Sequence, residues 1–315
     1  MLISCPLLPR CIGACAIVFL LAAATAGGEP EEHEFLVAGY LPDYRSVDLL
    51  DKAAPHLSDV LLFSVSPASD GAASGPGVCC LHDEHYARAR EARTKANPKL
   101  RLLASVGGAG RSQNLASIAS DASRRAAFIA NLLELCETEG LDGIDFDWEP
   151  PPSQSQTQTR EQSERYLRLL LLEAGRALRP AGKLLSVALH PGQGLSPQLY
   201  RVVDRVHLMA YDMITSTGGR GAQHHAALGD AKRAVDALID SGCPANKIVL
   251  GIPAYARHGD DPGLVRTYSE IVDDALAGKD APPAAAEPGT SSCSSGLAAA
   301  AAAAAAAVME EMDKQ

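Results

Sequence analysis

The chain has 315 residues, of which 47% are hydrophobic and 4% aromatic, and a formal net charge of −10. That length suits one large α/β barrel or two ordinary domains, with ample apolar content for a core. The acidic balance argues against nucleic acid or an anionic membrane surface as partner and suits a neutral or cationic ligand.

The N-terminus comes first. Arg10 is the only charged side chain before an apolar run from Cys11 to Leu21, and Ala24-Thr25-Ala26 offers a small-x-small cleavage site. Residues 1–26 therefore read as a secretory signal rather than a membrane anchor, for which the run is short. The expected location is extracellular or the lumen of the secretory–lysosomal pathway, with no membrane contact after cleavage. Cys5, Cys11 and Cys15 would leave with the signal, and Cys79, Cys80, Cys136, Cys243 and Cys293 would remain. An odd count assigns no disulfide framework. No Cys or His spacing matches a zinc site, and His224-His225 reads as an exposed loop pair.

Short apolar runs then recur at Phe35–Tyr40, Val60–Val65, Leu100–Val106, Gly143–Trp148, Leu184–Leu189, Val203–Met209 and Ile248–Ile252. Several are rich in Val, Ile and Leu on both faces, as buried parallel strands are. Helical stretches separate them. Asp121 can cap one that runs through Phe128, Ile129, Leu132, Leu133 and Leu135 to Gly140. Others run from about Gln162 to Leu178 and from about Asp230 to Ile239, ending at Gly242. Strand–helix alternation implies a parallel sheet, and seven units predict an α/β fold of the (β/α)8 barrel type over residues 29–275. A doubly wound sheet is the runner-up, but Gly39-Tyr40-Leu41-Pro42 is no phosphate loop. Residues 276–315 turn to Ala, Pro, Gly and Ser and include an alanine run from Ala298 to Ala307, which reads as a low-complexity tail. No eighth strand is found, so that strand is expected to be missing or divergent.

The chemistry lies in Asp142-Gly143-Ile144-Asp145-Phe146-Asp147-Trp148-Glu149-Pro150. Asp145, Asp147 and Glu149 share one strand parity and face the barrel interior, whereas Ile144, Phe146 and Trp148 face the helices. Pro150-Pro151-Pro152 stops the strand, so Glu149 is predicted as its last residue, at the rim where barrel active sites sit. Asp142 has the opposite parity and reads as structural. Crowded carboxylates retain a proton, and a raised carboxyl at the rim is what a general acid for glycoside cleavage needs. A Mg²⁺ or Ca²⁺ site is the alternative, but no second acidic cluster completes a coordination shell. No metal and no cofactor is expected.

This run resembles the DxxDxDxE signature of glycoside hydrolase family 18, the chitinases and their relatives. Gly39-Tyr40, Ser105-Val106-Gly107-Gly108, Met209-Ala210-Tyr211-Asp212 and Gly251-Ile252-Pro253-Ala254-Tyr255 are similar to four further family segments, in the family's order. The resemblance implies a substrate-assisted retaining hydrolase. It makes Glu149 the proton donor, Asp147 the partner of the sugar's 2-acetamido group, Asp145 the charge reservoir beneath, and Tyr211 a donor to the acetamido group. It places Tyr40, Met209, Asp212 and Tyr255 in substrate binding. Gly107 and Gly108 read as structural, in a tight turn.

The implied partner is an N-acetylglucosamine-containing oligosaccharide or polysaccharide: chito-oligosaccharides, chitin or the N-glycan chitobiose core. With Tyr40, Tyr44, Tyr211 and Tyr255 as the lining, short oligosaccharides are expected over crystalline chitin. The family's eighth strand usually carries a tryptophan, and the only one here is Trp148. Three explanations remain: a divergent strand in the tail, a partner that completes the barrel, or a truncated or misspliced chain. The alternative function is a non-catalytic oligosaccharide-binding lectin on the same barrel.

Overall fold

A computed structural model describes residues 17–21, 35–72, 81–149, 160–213, 225–257 and 265–277. Eight strands close a barrel in chain order: β1 (Ile17–Leu21), β2 (Leu36–Pro42), β3 (Asp59–Val65), β4 (Arg101–Gly107), β5 (Gly143–Asp147), β6 (Leu184–Leu189), β7 (Arg205–Leu208) and β8 (Ile248–Pro253). Strands β2 to β8 correspond to the seven apolar runs, and each pairs in parallel with the next. Parallel neighbours need long crossovers, which helices supply on the outer face. The main ones are α1 (Leu49–Ala53), α2 (Asp83–Lys95), α3 (Leu115–Ser120), α4 (Ala122–Glu139), α5 (Arg160–Leu178), α6 (Pro197–Tyr200) and α7 (Leu228–Asp240).

The sequence leaves the eighth stave missing or divergent; the structure fills the gap with β1. This strand runs antiparallel to both neighbours, setting Ile17 opposite Tyr40 and Leu21 opposite Leu36 on one side, and Ile17 opposite Pro253 on the other. It lies inside the segment read as a secretory signal. One property serves both readings: an uninterrupted apolar run also suits a strand flanked by two open sheet edges. The tail from 278 onward, Pro150-Pro151-Pro152 and His224 lie outside the described residues.

The helices form for local reasons. Asp121 caps α4 by accepting from Arg124 N at 2.8 Å, and the helix stops where Gly140 turns left-handed at φ 63°. Its apolar stripe, with Phe128 and Leu132, packs on the outer face of the sheet together with Leu170 and Leu171 of α5. Phe128 meets Phe146 edge-on, with ring centroids 6.5 Å apart, and both are fully buried. Each such burial contributes roughly 1.5–3 kcal/mol. The Arg125 guanidinium ties α4 to α5 by forking onto both oxygens of Glu173. Cys136 and Cys243 are buried free thiols, pushed up to about 12 by burial.

The barrel interior is layered. At the N-terminal ends of the strands, fully buried Asp59 is paired with Arg101 and Arg205. Above them Leu36, Ala38, Leu61, Leu103 and Val249 form an apolar plug, with Tyr40 at its edge. The carboxylates of β5 sit above that. Past β8, a small hairpin of β9 (Tyr255–Arg257) and β10 (Val265–Thr267) leads into α8 (Tyr268–Leu276).

Candidate active site

Register sets the floor of the site. Ser105 of β4 and Ser186 of β6 both lie beside Asp145 of β5. Ser186 donates to Asp145 Oδ1 at 2.6 Å, and Ser105 donates to Oδ2 at 3.0 Å. Tyr40 donates to Oδ2 at 2.9 Å across the barrel and also lies 3.0 Å from His207 Nδ1. One phenolic proton cannot serve both contacts. With it on Asp145, His207 must donate its own Nδ1–H to the Tyr40 oxygen. Burial, helped by Arg205, pushes His207 down to about 3, so the imidazole is neutral.

One layer higher, Gly107 and Ala188 flank Asp147. Strand pairing ends here, so Glu149 lies two residues beyond β5 and is not its last residue. The cause is the turn after β4. Gly107 and Gly108 adopt φ 98° and 93°, and Gly108 N donates to Asp147 O at 2.6 Å. Glu149 N instead donates to Ser112 Oγ at 3.0 Å, which fixes the chain just outside the ladder. Asp142 lies off this line: it accepts from Leu102 N at 2.7 Å and pairs with Arg93, tying β4 to α2.

Tyr40, Asp147, Glu149, Met209, Tyr211, Asp212 and Tyr255 all line one cleft of about 450 Å³. Tyr44, 67% exposed, stands at its mouth. Asp212 is the one described non-glycine residue with positive φ, at 56°. Three groups hold it: His225 Nδ1 at 3.0 Å, the Tyr255 hydroxyl at 2.8 Å and the Arg257 guanidinium. His225 is buried, not exposed as its sequence context suggests. Its Nε2 lies 3.2 Å from Tyr255 O, so the ring bridges the β7 and β8 loops.

The electrostatics separate the carboxylates. Burial, then Glu149 and Asp145, raise Asp147 well above the usual carboxylate range. Asp147 Oδ1 is buried and makes no hydrogen bond among the described residues. Burial also raises Asp145, against the lowering effect of Ser186, Tyr40 and Ser105. Both upward shifts fall on the lower pair, where water is excluded. Burial pushes Asp212 up, but the hydrogen bonds from Arg257, His225 and Tyr255 outweigh it and hold it low. Burial, then Asp147 and Tyr255, raise Tyr211 well above a free phenol, so it remains a donor. Among the described residues, no group of three or more His, Cys, Asp or Glu side chains could hold a metal ion.

The site also contains residues that sequence reasoning did not assign: Ser105, Ser112, Ser186, His190, His207, His225 and Arg257. Ser105, Ser186 and His207 share inward parity on their strands, a signal that becomes specific only once the register is known. The loop residues carry no such signal.

Residues 50–291 match the family model described as glycosyl hydrolases family 18. The chain belongs to this family. The chain is 31% identical to mouse chitotriosidase-1 over 55% of its length and 42% of the mouse protein's. Chitinase 1 of Aphanocladium album is 28% identical over 79% of this chain and 67% of that protein. The chain thus spans less than half of the mouse protein. The fold is similar to that of a family 18 chitinase from Cycas revoluta, solved in complex with (GlcNAc)3. The TM-score is 0.63 at 24% identity, covering 76% of this chain and 80% of that one.

Proposed function

We propose that this family 18 chain is a glycosidase that cleaves β-1,4 bonds next to N-acetylglucosamine, with retention and with the sugar's own acetamido group as nucleophile. The observation that carries the reading is the line Asp145, Asp147, Glu149, rising from a dry floor into a cleft shared with Tyr211. Glu149 is the partly exposed member, able to meet a glycosidic oxygen, with its side chain 23% exposed. It protonates that oxygen while the acetamido carbonyl oxygen attacks the anomeric carbon. The oxazolinium cation that forms is stabilised by the negative charge which Asp147 shares with Asp145. Tyr211, held as a phenol, donates to the acetamido oxygen. Glu149 then takes a proton from water, which opens the ring with overall retention.

Short oligosaccharides are the favoured substrates, because among the described residues the cleft's aromatic lining is Tyr40, Tyr44, Phe63, Tyr211 and Tyr255. The (GlcNAc)3 bound by the Cycas chitinase is a ligand of the same class. Entry into the secretory pathway is part of the proposal and rests on Arg10, the apolar run and Ala24-Thr25-Ala26. Identifying the N-terminal residue of the exported chain tests it.

The deciding assay compares wild type with Glu149→Gln on a fluorogenic chitobioside. Loss of one positioned general acid is expected to cost about 10²- to 10⁴-fold. Equal inertness of both proteins, with oligosaccharide binding retained, would make the chain a lectin. Faster turnover of insoluble chitin than of soluble tri- and tetrasaccharides would overturn the substrate preference.

A further inference from the structure

The loop after β6 brings an imidazole to the candidate proton donor. His190 Nε2 lies 3.1 Å from Glu149 Oε2, and both side chains line the cleft. His190 is the first residue past β6. Its backbone is fixed by two reciprocal bonds: His190 N donates to Gln193 Oε1 at 2.7 Å, and Gln193 N donates to His190 O at 3.0 Å. Glu149 is fixed separately, through its own N–H to Ser112 Oγ. Each partner is therefore anchored through its own backbone. Among the described residues, no other side chain hydrogen-bonds the Glu149 carboxyl.

We propose that His190 is a positioning residue for Glu149. Its Nε2–H donates to Glu149 Oε2, which directs the acidic proton to Oε1 and holds the carboxylate left when that proton departs. This rests on the reading of Glu149 as proton donor. A carboxyl has two oxygens and one proton, and with neither oxygen engaged the proton is divided between them. A donor facing Oε2 makes that oxygen an acceptor and leaves Oε1 to carry the proton. When the proton moves to the glycosidic oxygen, the contact becomes charge-assisted and strengthens. An interaction that grows as charge develops lowers the barrier rather than merely tightening substrate binding. In the second step the same bond keeps the carboxylate turned to receive a proton from water.

The test uses the full chain with His190→Ala and His190→Gln, a fluorogenic chitobioside, and ring-nitrogen NMR of His190. His190→Ala is expected to lower kcat about 10- to 100-fold, the worth of a hydrogen bond to a charged group, with KM nearly unchanged. Glutamine offers an amide N–H at similar reach, so His190→Gln is expected to recover most of the loss. In wild type the Nε2 resonance should be that of a protonated nitrogen, and Glu149→Ala should move it towards a tautomer mixture. Unchanged kcat in His190→Ala, no recovery with glutamine, or an imidazole spectrum indifferent to the Glu149 carboxyl would each overturn the proposal. If wild type turns over no substrate, the catalytic reading itself fails, and the spectrum alone decides whether the contact exists.

Discussion

Gly107 and Asp147 approach so closely that a Cβ on Gly107 would lie 2.3 Å from the Asp147 carbonyl oxygen. That approach ends the β4–β5 ladder and lifts the chain towards Glu149. Gly107 also has φ 98°, which a side chain rarely adopts. Gly107→Ala is therefore expected to destabilise the fold by at least about 1–3 kcal/mol. Its kcat should also fall, at a temperature where the variant remains folded. Denaturant unfolding and single-substrate kinetics on one preparation check both; a fully stable, fully active alanine variant would contradict the account.

Asp147 is expected to oppose stability where the proposed chemistry needs it. Burial, then Glu149 and Asp145, raise its proton affinity in the folded chain. A carboxyl raised in this way favours folding fully only below its unfolded value, about 3.9, and that contribution is lost as pH rises through the folded value. At neutral pH the group therefore works against the fold. Asp147→Asn should accordingly be more stable than wild type at pH 7, similar to it near pH 3, and slower in turnover. Urea midpoints at the two pH values measure this, and an equal difference at both would count against it.

Ser186 tunes the lower carboxylate. Its hydroxyl bond to Asp145 Oδ1, at 2.6 Å, favours the charged form. Without it, Asp145 holds its proton to higher pH, and the Asp145–Asp147 pair does the same. Ser186→Ala should move the acidic limb of the kcat/KM profile upward in pH. A downward movement would reverse the assigned sign.

Asp59 closes the floor of the barrel. It is fully buried and carries two guanidiniums, of which Arg205 is itself buried. Asp59→Ala leaves that charge without its partner, at an expected cost of about 3–5 kcal/mol. Asp59→Ala with Arg205→Met should recover much of the loss, which a thermal-unfolding double-mutant cycle measures.

Much of this architecture was legible because the seven parallel strands are short apolar runs, several of them rich in Val, Ile and Leu on both faces, and β6 matches its predicted span residue for residue. The inward parity of Asp145 and Asp147 was legible for the same reason: a strand has only two faces. The end of β5 was not, because a turn in a different strand sets it. His225 was misread because a histidine in a loop carries no periodicity, and its burial comes from the meeting of the β7 and β8 loops. β1 was missed because its residues fit a signal sequence equally well, and nothing local distinguishes the two.

β1 makes trimming of the N-terminus a tertiary event. Five of its residues face β2 and four face β8. A cut after Ala26 would remove all of them and leave a gap about 10 Å wide, twice the spacing between strands, with unsatisfied backbone groups on both walls. Such a gap is a mould for a single extended apolar peptide. If such a cut occurs, the order of cutting and closing would decide which copies keep a closed barrel.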